Sequence, residues 1–155
     1  MKKKKAIFAG GCFWHIQEEF DKVPGVIKTT VGYTGGTKKK PTYEEVSSKK
    51  TGHAEAIEII YDADKVSYGE LLAKFFSIHN PTTKNRQGFD IGTNYRSAIF
   101  YINDGQKKLA KATIKKYQES FEKPIVTEIV PATRFYPAEE HHQKYNEKRG
   151  KTCKI

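Results

Sequence analysis

The sequence predicts an α/β (α+β) fold, a two-layer sandwich in which helices flank a ferredoxin-like mixed sheet. Three observations support this prediction. The 155 residues suit one domain and are few for two. Apolar residues recur with helical spacing in some segments and form short β-rich runs in others. Leaving aside one short helical segment, the first six segments follow the order βαββαβ, which is typical of a ferredoxin-like unit.

The N-terminal half begins with a strand, a tight turn and a helix. An apolar run over 6–9 precedes Gly10-Gly11, and Cys12, Ile16 and Phe20 then recur with helical spacing. The turn Val23-Pro24-Gly25 ends that helix. The other segments of this half are a strand over 26–33, a short helix over 41–46 and a strand over 53–61.

The C-terminal half continues the alternation. The capping box Ser67-Tyr68-Gly69-Glu70 begins a helix that ends near Pro81, and a polar loop follows over 82–94. We then expect a strand over 95–102, a long amphipathic helix over 104–121, a strand over 124–130, a turn-rich link over 131–137 and a short polar helix over 138–148. The whole chain, 1–155, is expected to form a single domain, with 146–155 as a flexible tail.

Cys12 stands at the predicted start of the first helix. A thiol there lies near the positive end of the helix dipole and the unpaired first-turn N–H groups, which both favour the thiolate. Such positions lower a cysteine pKa from about 8.5 into a range of roughly 3.5–7.5. Since cysteine also behaves as a small hydrophobe, this stretch alone is equally compatible with a buried structural residue. Phe13 and Trp14 are either core aromatics or the walls of an apolar pocket beside the sulfur.

Four further residues are candidates for the same site. Glu55 is a carboxylate on an otherwise apolar strand face, where burial would keep it protonated. Asp90 lies in the glycine-containing loop, and Tyr43 and Tyr95 flank polar segments. Each has a structural alternative: Glu55 could pair with a lysine, Asp90 could shape a turn, and the tyrosines could fill the core.

Composition limits the classes of partner. The net charge is +10, but the lysines are scattered and no helix-turn-helix, zinc-finger or RNP pattern occurs, so we expect no specific nucleic-acid binding. No stretch is long and apolar enough for a membrane span, and the N-terminal apolar run is too short for a signal peptide, which predicts a cytoplasmic protein. His141 and His142 are too closely spaced for a usual metal-ligand pair, so no metal site is expected.

Cys153 is the other of the two cysteines. It lies in a basic, glycine-containing stretch, where a thiol is expected to be exposed and the neighbouring lysines help it to ionise. A structural disulfide is not expected in the cytoplasm. The two thiols are therefore either unrelated residues or a transient redox pair.

A series of short motifs resembles, in the same order, those of the type A peptide methionine sulfoxide reductases. The resemblance runs from about residue 6 to residue 145. The motifs are Gly10-Gly11-Cys12-Phe13-Trp14 and residues 31–36, 41–46, 51–55, 78–82, 85–88, 92–100 and 138–143.

The resemblance implies a catalytic domain that reduces methionine S-sulfoxide, free or in oxidised proteins, without a bound cofactor. It implies that Cys12 is the nucleophile that attacks the sulfoxide sulfur. Phe13 and Trp14 would hold the substrate's methyl group. Glu55 would bind the sulfoxide oxygen as a protonated acid and deliver a proton, because that oxygen leaves as water.

The resemblance also implies the rest of the cycle. Tyr43 and Tyr95 would donate further hydrogen bonds to the oxygen, and Asp90 would complete the polar side of the site. The sulfenic acid left on the nucleophile condenses with a second thiol, a role that the cysteine count and its context give to Cys153. Thioredoxin or dithiothreitol would then reduce the disulfide. We expect a monomer. A peroxide-reducing thiol enzyme and a basic binding module are the alternatives.

The sequence departs from the family pattern at a few positions. His15 stands where the family usually has glycine, beside the expected aromatic wall. Ser47 stands where many members have a third cysteine, so a two-step thiol relay is not expected. Phe89 and Ile91 flank Asp90 where polar residues are usual, which predicts a more apolar rim.

Overall fold

The computed structural model describes residues 1–149, which form a mixed sheet with packed helices. The strands are β1 (Lys3–Gly10), β2 (Val26–Thr34), β3 (Ala54–Asp62), β4 (Arg86–Gln87), β5 (Asp90–Ile91), β6 (Ser97–Tyr101), β7 (Glu128–Pro131) and β8 (Tyr136–Pro137). The α-helices are α1 (Phe13–Asp21), α2 (Tyr43–Ser47), α3 (Tyr68–Ser77), α4 (Asp104–Gln118) and α5 (Tyr145–Arg149). Short 3₁₀ helices cover Thr93–Tyr95 and Glu140–His142.

The main sheet has six strands in the order β7-β6-β1-β3-β2-β8. Strands β6 and β7 are parallel, and the other neighbouring strands are antiparallel. Its four central strands, β6-β1-β3-β2, are connected through α1 and α3 as a βαββαβ unit. The predicted ferredoxin-like mixed sheet with flanking helices is therefore confirmed.

The core lies between this sheet and helices α1 and α3. On β3, Ile57 and Ile59 are fully buried on the helix-covered face, as their period-two spacing predicts. Phe8 of β1 packs against Phe75 of α3, with ring centroids 4.9 Å apart. The opposite face carries a smaller apolar cluster around Phe100, so parts of the sheet are covered on both sides.

Two segments near the C-terminus differ from the prediction. The strand expected over 124–130 begins only at Glu128, because the Gln118 side chain holds the preceding backbone in a loop: its amide accepts from the Ile125 N–H at 2.7 Å and donates to the Lys123 carbonyl at 2.9 Å. The helix expected over 138–148 is broken into a 3₁₀ turn and α5. The break is at Lys144, whose φ of 56° is left-handed.

Other boundaries shift by a few residues. The loop predicted over 82–94 contains the β4-β5 hairpin and the start of a 3₁₀ turn, so β6 begins at Ser97 rather than at residue 95. The link predicted over 131–137 contains β8, which pairs with β2. Asn146, where the predicted tail begins, lies in α5 and donates a hydrogen bond to Glu18 at 2.9 Å. Across residues 1–149, no helix has the length and apolar character that a bilayer span needs.

Candidate active site

Cys12 lies where β1 meets α1. Strand β1 ends at Gly10, Gly11 turns the chain with a φ of 97°, and α1 begins at Phe13. A side chain at Gly10 would come within 2.9 Å of the Phe75 ring, so glycine here lets the turn pack tightly on α3. Cys12 is the N-cap residue of α1 and is 6% exposed. The predicted placement of the thiol at a helix start is correct.

The carboxyl group of Glu55 lies at the same end of α1. Its Oε1 accepts a hydrogen bond from the backbone N–H of Phe13, the residue after Cys12, at 3.3 Å. Glu55 is 2% exposed and comes from β3, in register with Tyr33 of β2. The fold therefore brings together the acid and the cysteine, which are more than forty residues apart in the chain.

The two predicted tyrosines lie near this pair. Burial, followed by the nearby Glu55 and Cys12, raises the pKa of the Tyr43 hydroxyl to about 12. Burial, followed by Glu55 and Tyr43 and then by Asp90 and Cys12, raises the pKa of Tyr95 above its ordinary value. Such mutual effects require the groups to lie close together. Both hydroxyls keep their protons near neutral pH and can serve as hydrogen-bond donors. Burial also raises the pKa of the half-buried Asp90.

Aromatic rings line the other side of the helix start. Phe13 is 1% exposed and packs between core and site, with its ring centroid 6.2 Å from that of Tyr43. Trp14 is half-buried, and Tyr145 of α5 stacks on it at 3.8 Å with an interplanar angle of 11°. Trp14 rather than Phe13 therefore offers exposed aromatic surface beside the cysteine.

Sequence reasoning missed Glu139, whose carboxylate links Tyr33 of β2 to Tyr43 at the start of α2. Its carboxylate accepts from the Tyr33 hydroxyl at 2.9 Å and from the backbone N–H of Tyr43 at 3.1 Å. Burial alone would raise the pKa of Glu139, but hydrogen bonds from its own backbone, from Tyr43 and from Tyr33 hold it below its ordinary value. Glu139 is therefore an anion that fixes the position of α2.

His142 was also missed as part of the site. Its Nδ1 accepts from the Trp14 indole N–H at 3.2 Å, so the neutral ring carries its proton on Nε2. Burial and the neighbouring His141 lower the pKa of His142, while Glu139 raises it slightly. The ring also stacks on Tyr43 at 4.3 Å. The only sequence signal for these two residues was their place in the motif over 138–143.

Comparison with known proteins identifies the class of protein that this geometry belongs to. The sequence pattern that defines the peptide methionine sulfoxide reductases matches residues 4–155. The chain belongs to this family. The peptide methionine sulfoxide reductase MsrA of Geobacter sulfurreducens is 56% identical over 149 residues, which cover 95% of this chain and 92% of that protein.

Solved structures agree with this assignment. The reduced form of Mxr1 from Saccharomyces cerevisiae superposes with a TM-score of 0.92 at 34% identity, covering 96% of this chain and 87% of that one. A structure of Mxr1 in complex with Trx2 superposes with a TM-score of 0.67 at 26% identity, covering 93% of this chain and 85% of that one. The resemblance seen in the sequence motifs, and with it the identification as an enzyme of this family, is confirmed.

The departures from the family pattern have distinct positions in this reductase. The His15 ring is held at the C-terminal end of α3, because its Nε2 donates to the Ile78 carbonyl at 3.1 Å. Phe89 is 100% exposed at the turn of the β4-β5 hairpin, and Ile91 is 58% exposed. Both therefore add apolar surface on either side of Asp90.

Two predictions are still to be considered, the role of Cys153 and the lack of a metal site. Cys153 lies outside the described residues. Within residues 1–149, no cluster of histidine, cysteine, aspartate or glutamate side chains has the geometry to hold a metal ion.

Proposed function

We propose that this peptide methionine sulfoxide reductase reduces the S epimer of methionine sulfoxide, free or in oxidised proteins, through a sulfenic acid on Cys12. A disulfide with Cys153 then forms, and a thioredoxin-like protein reduces it. The observation that carries this proposal is the hydrogen bond from the Phe13 N–H to Glu55, which holds a buried acid beside a cysteine at a helix start.

The first step is attack on the sulfoxide. The Cys12 thiolate attacks the sulfur while Glu55 gives a proton to the oxygen, which needs protons as its negative charge grows. Burial favours the neutral form of a carboxylic acid, and Glu55 is 2% exposed. Tyr43 and Tyr95 are protonated donors that can bind the same oxygen. Asp90 completes the polar side of the site.

The substrate's carbon side is proposed to lie on the aromatic surface. The sulfur becomes sulfonium-like during attack, and a methyl group on such a centre is attracted to aromatic faces. Trp14 provides such a face next to Cys12 and is held by the His142 hydrogen bond and by Tyr145, while the buried Phe13 packs behind it. A polar wall on one side and an aromatic wall on the other distinguish the two epimers of the sulfoxide.

The later steps return the enzyme to its starting state. Transfer of the oxygen releases methionine and leaves Cys12 as a sulfenic acid. The Cys153 thiolate attacks that sulfur, so that a disulfide forms and the oxygen leaves as water. An external dithiol then breaks the disulfide by exchange and supplies the two electrons. The Mxr1–Trx2 complex is the comparison that favours thioredoxin as this dithiol. A cytoplasmic location, the absence of a bound cofactor and a monomeric state stay predictions.

The proposal is tested by mixing the pure protein with each sulfoxide epimer and dithiothreitol and measuring methionine. We expect turnover of the S epimer only, and no methionine from Cys12→Ser. Equal turnover of both epimers, or full activity in Cys12→Ser, would overturn it. Oxidation of Cys12 by hydrogen peroxide much faster than by the sulfoxide would favour the peroxide-reducing alternative.

A further inference from the structure

A groove rich in cationic side chains adjoins the candidate active site. It encloses about 490 Å³, and we call it the basic groove. Its lining consists of Lys49, Lys50, Gly52, Lys84, Asn85, Thr93, Arg96 and Glu128. The proposed reaction uses none of these side chains.

The walls of the basic groove continue the two elements that carry the site tyrosines. Helix α2 begins with Tyr43 and ends at Ser47, and Lys49 follows two residues later. The 3₁₀ turn Thr93–Tyr95 ends with the second tyrosine, and Arg96 follows directly. The Lys49 chain also crosses the loop after Asp90, since a Cβ built on Gly92 would lie 2.6 Å from Lys49 Cε. Lining residues of the basic groove therefore stand within a few residues of Tyr43, Asp90 and Tyr95 in the chain.

The basic groove has an excess of positive charge. Four cations and one carboxylate line it. Arg96 pairs with that carboxylate, Glu128, at 3.4 Å, and its guanidinium is held by the Thr93 carbonyl at 2.8 Å. Lys49, Lys50 and Lys84 are exposed and form no ion pair with any residue between 1 and 149. Three cations are thus left to attract an anionic partner.

We propose that the basic groove binds acidic side chains that flank the oxidised methionine of a protein substrate, so that the enzyme prefers sulfoxides in acidic sequence. This inference rests on the proposed function and adds a sequence preference to it. An extended peptide advances about 3.3 Å per residue, so residues within a few positions of the sulfoxide would lie over the groove. A substrate peptide is favoured over the reductant because Arg96 directly follows Tyr95 and Lys49 crosses the loop after Asp90, and Tyr95 and Asp90 carry groups proposed to bind the sulfoxide.

The test compares three peptides of equal length that contain one methionine S-sulfoxide. Glutamate, glutamine or lysine occupies the flanking positions, and dithiothreitol is the reductant, so that thioredoxin binding does not enter. Each exposed charge pair changes binding by about 1.5- to fivefold. We expect kcat/KM for the glutamate peptide to exceed that for the lysine peptide by about tenfold at low salt, with the difference mainly in KM. Potassium chloride at about 0.5 M should remove most of the preference.

The variant Lys49→Glu/Lys84→Glu reverses two charges of the groove. Its matched control, Lys108→Glu/Lys111→Glu, makes the same change in net charge on the exposed face of α4. We expect the groove variant to lose the glutamate preference and the control to keep it. An equal loss in both variants would overturn the proposal, because net charge alone would then explain the preference. Equal kcat/KM for all three peptides would overturn it too. So would a groove variant that keeps the glutamate preference with dithiothreitol and changes only KM for thioredoxin, measured separately with thioredoxin as the reductant.

Failure of this inference is distinguishable from failure of the proposed function. If the wild type reduces the glutamine peptide as fast as the glutamate peptide, the reductase activity stands and the sequence preference falls. If it reduces no sulfoxide at all, both fall.

Discussion

Replacing His79 by glutamine should weaken the acid sensitivity of folding. His79 is 9% exposed, and its Nδ1 donates to the Phe75 carbonyl at 2.6 Å. Its Nε2 accepts from the Ser97 hydroxyl at 2.7 Å, so the buried ring is held neutral. Burial, together with the nearby His15, lowers the pKa of His79 to about 4, although the hydrogen bond to Phe75 raises it.

The size of the effect follows from linkage. In the unfolded chain the imidazole binds a proton below its ordinary pKa of 6.5, whereas in the folded chain it does so only near pH 4. Between these values the unfolded state holds more protons, so the free energy of unfolding falls as the pH falls. At about 1.4 kcal/mol per pH unit, the free energy of unfolding falls by about 3.4 kcal/mol between pH 6.5 and pH 4. Between pH 7 and pH 5 it falls by about 2 kcal/mol.

Urea unfolding at pH 7 and pH 5 measures this difference. Between these pH values wild type should lose about 2 kcal/mol more than His79→Gln, even though the variant is less stable at pH 7 because it loses buried hydrogen bonds. Lys108→Gln, an exposed change on α4, controls for the substitution itself. A variant whose stability falls with pH as steeply as that of wild type would refute the reasoning.

Two further substitutions test the site and the sheet. Glu55→Gln should lower kcat/KM by about 10²- to 10⁴-fold without unfolding the protein. The control Glu58→Gln, on the same strand but half-exposed, should leave kcat/KM near that of wild type. Equal kcat/KM in the two variants would show that Glu55 is not the acid. Gly32→Ala places a methyl group against the Tyr136 carbonyl oxygen and should lower the free energy of unfolding by about 1–3 kcal/mol. The control Gly69→Ala, whose added methyl group would meet no non-adjacent side chain nearer than 3.7 Å, should change it little. Similar melting temperatures in the two variants would contradict the packing of β8 on β2.

The fold and the centre of the site could be predicted because local patterns determine them. The capping box at Ser67 and Glu70 forms as the sequence indicates, and α3 begins there. Alternation along β3 correctly placed Glu55 among the buried side chains that face the helices. In both cases the signal is a pattern within a few residues, although Glu55 meets its partner Phe13 across 42 positions of the chain.

The C-terminal part of the site could not be predicted, because contacts with distant residues determine its structure. Gln143 exchanges two hydrogen bonds with the backbone of Val31, at 3.0 and 2.8 Å, and thereby takes the place of a strand neighbour. Its polar neighbours favour a helix locally, but these bonds and the pairing of Glu139 with Tyr33 hold the segment on the sheet. No periodicity in the sequence indicates such contacts.

Mixing Cys153→Ser with methionine S-sulfoxide, without any reductant, tests most directly whether Cys12 is the nucleophile. We expect one methionine released per chain and a sulfenic acid on Cys12 that dimedone traps, with both slowed when Glu55→Gln is added. Release of no methionine, or release of methionine without a dimedone adduct on Cys12, would contradict it.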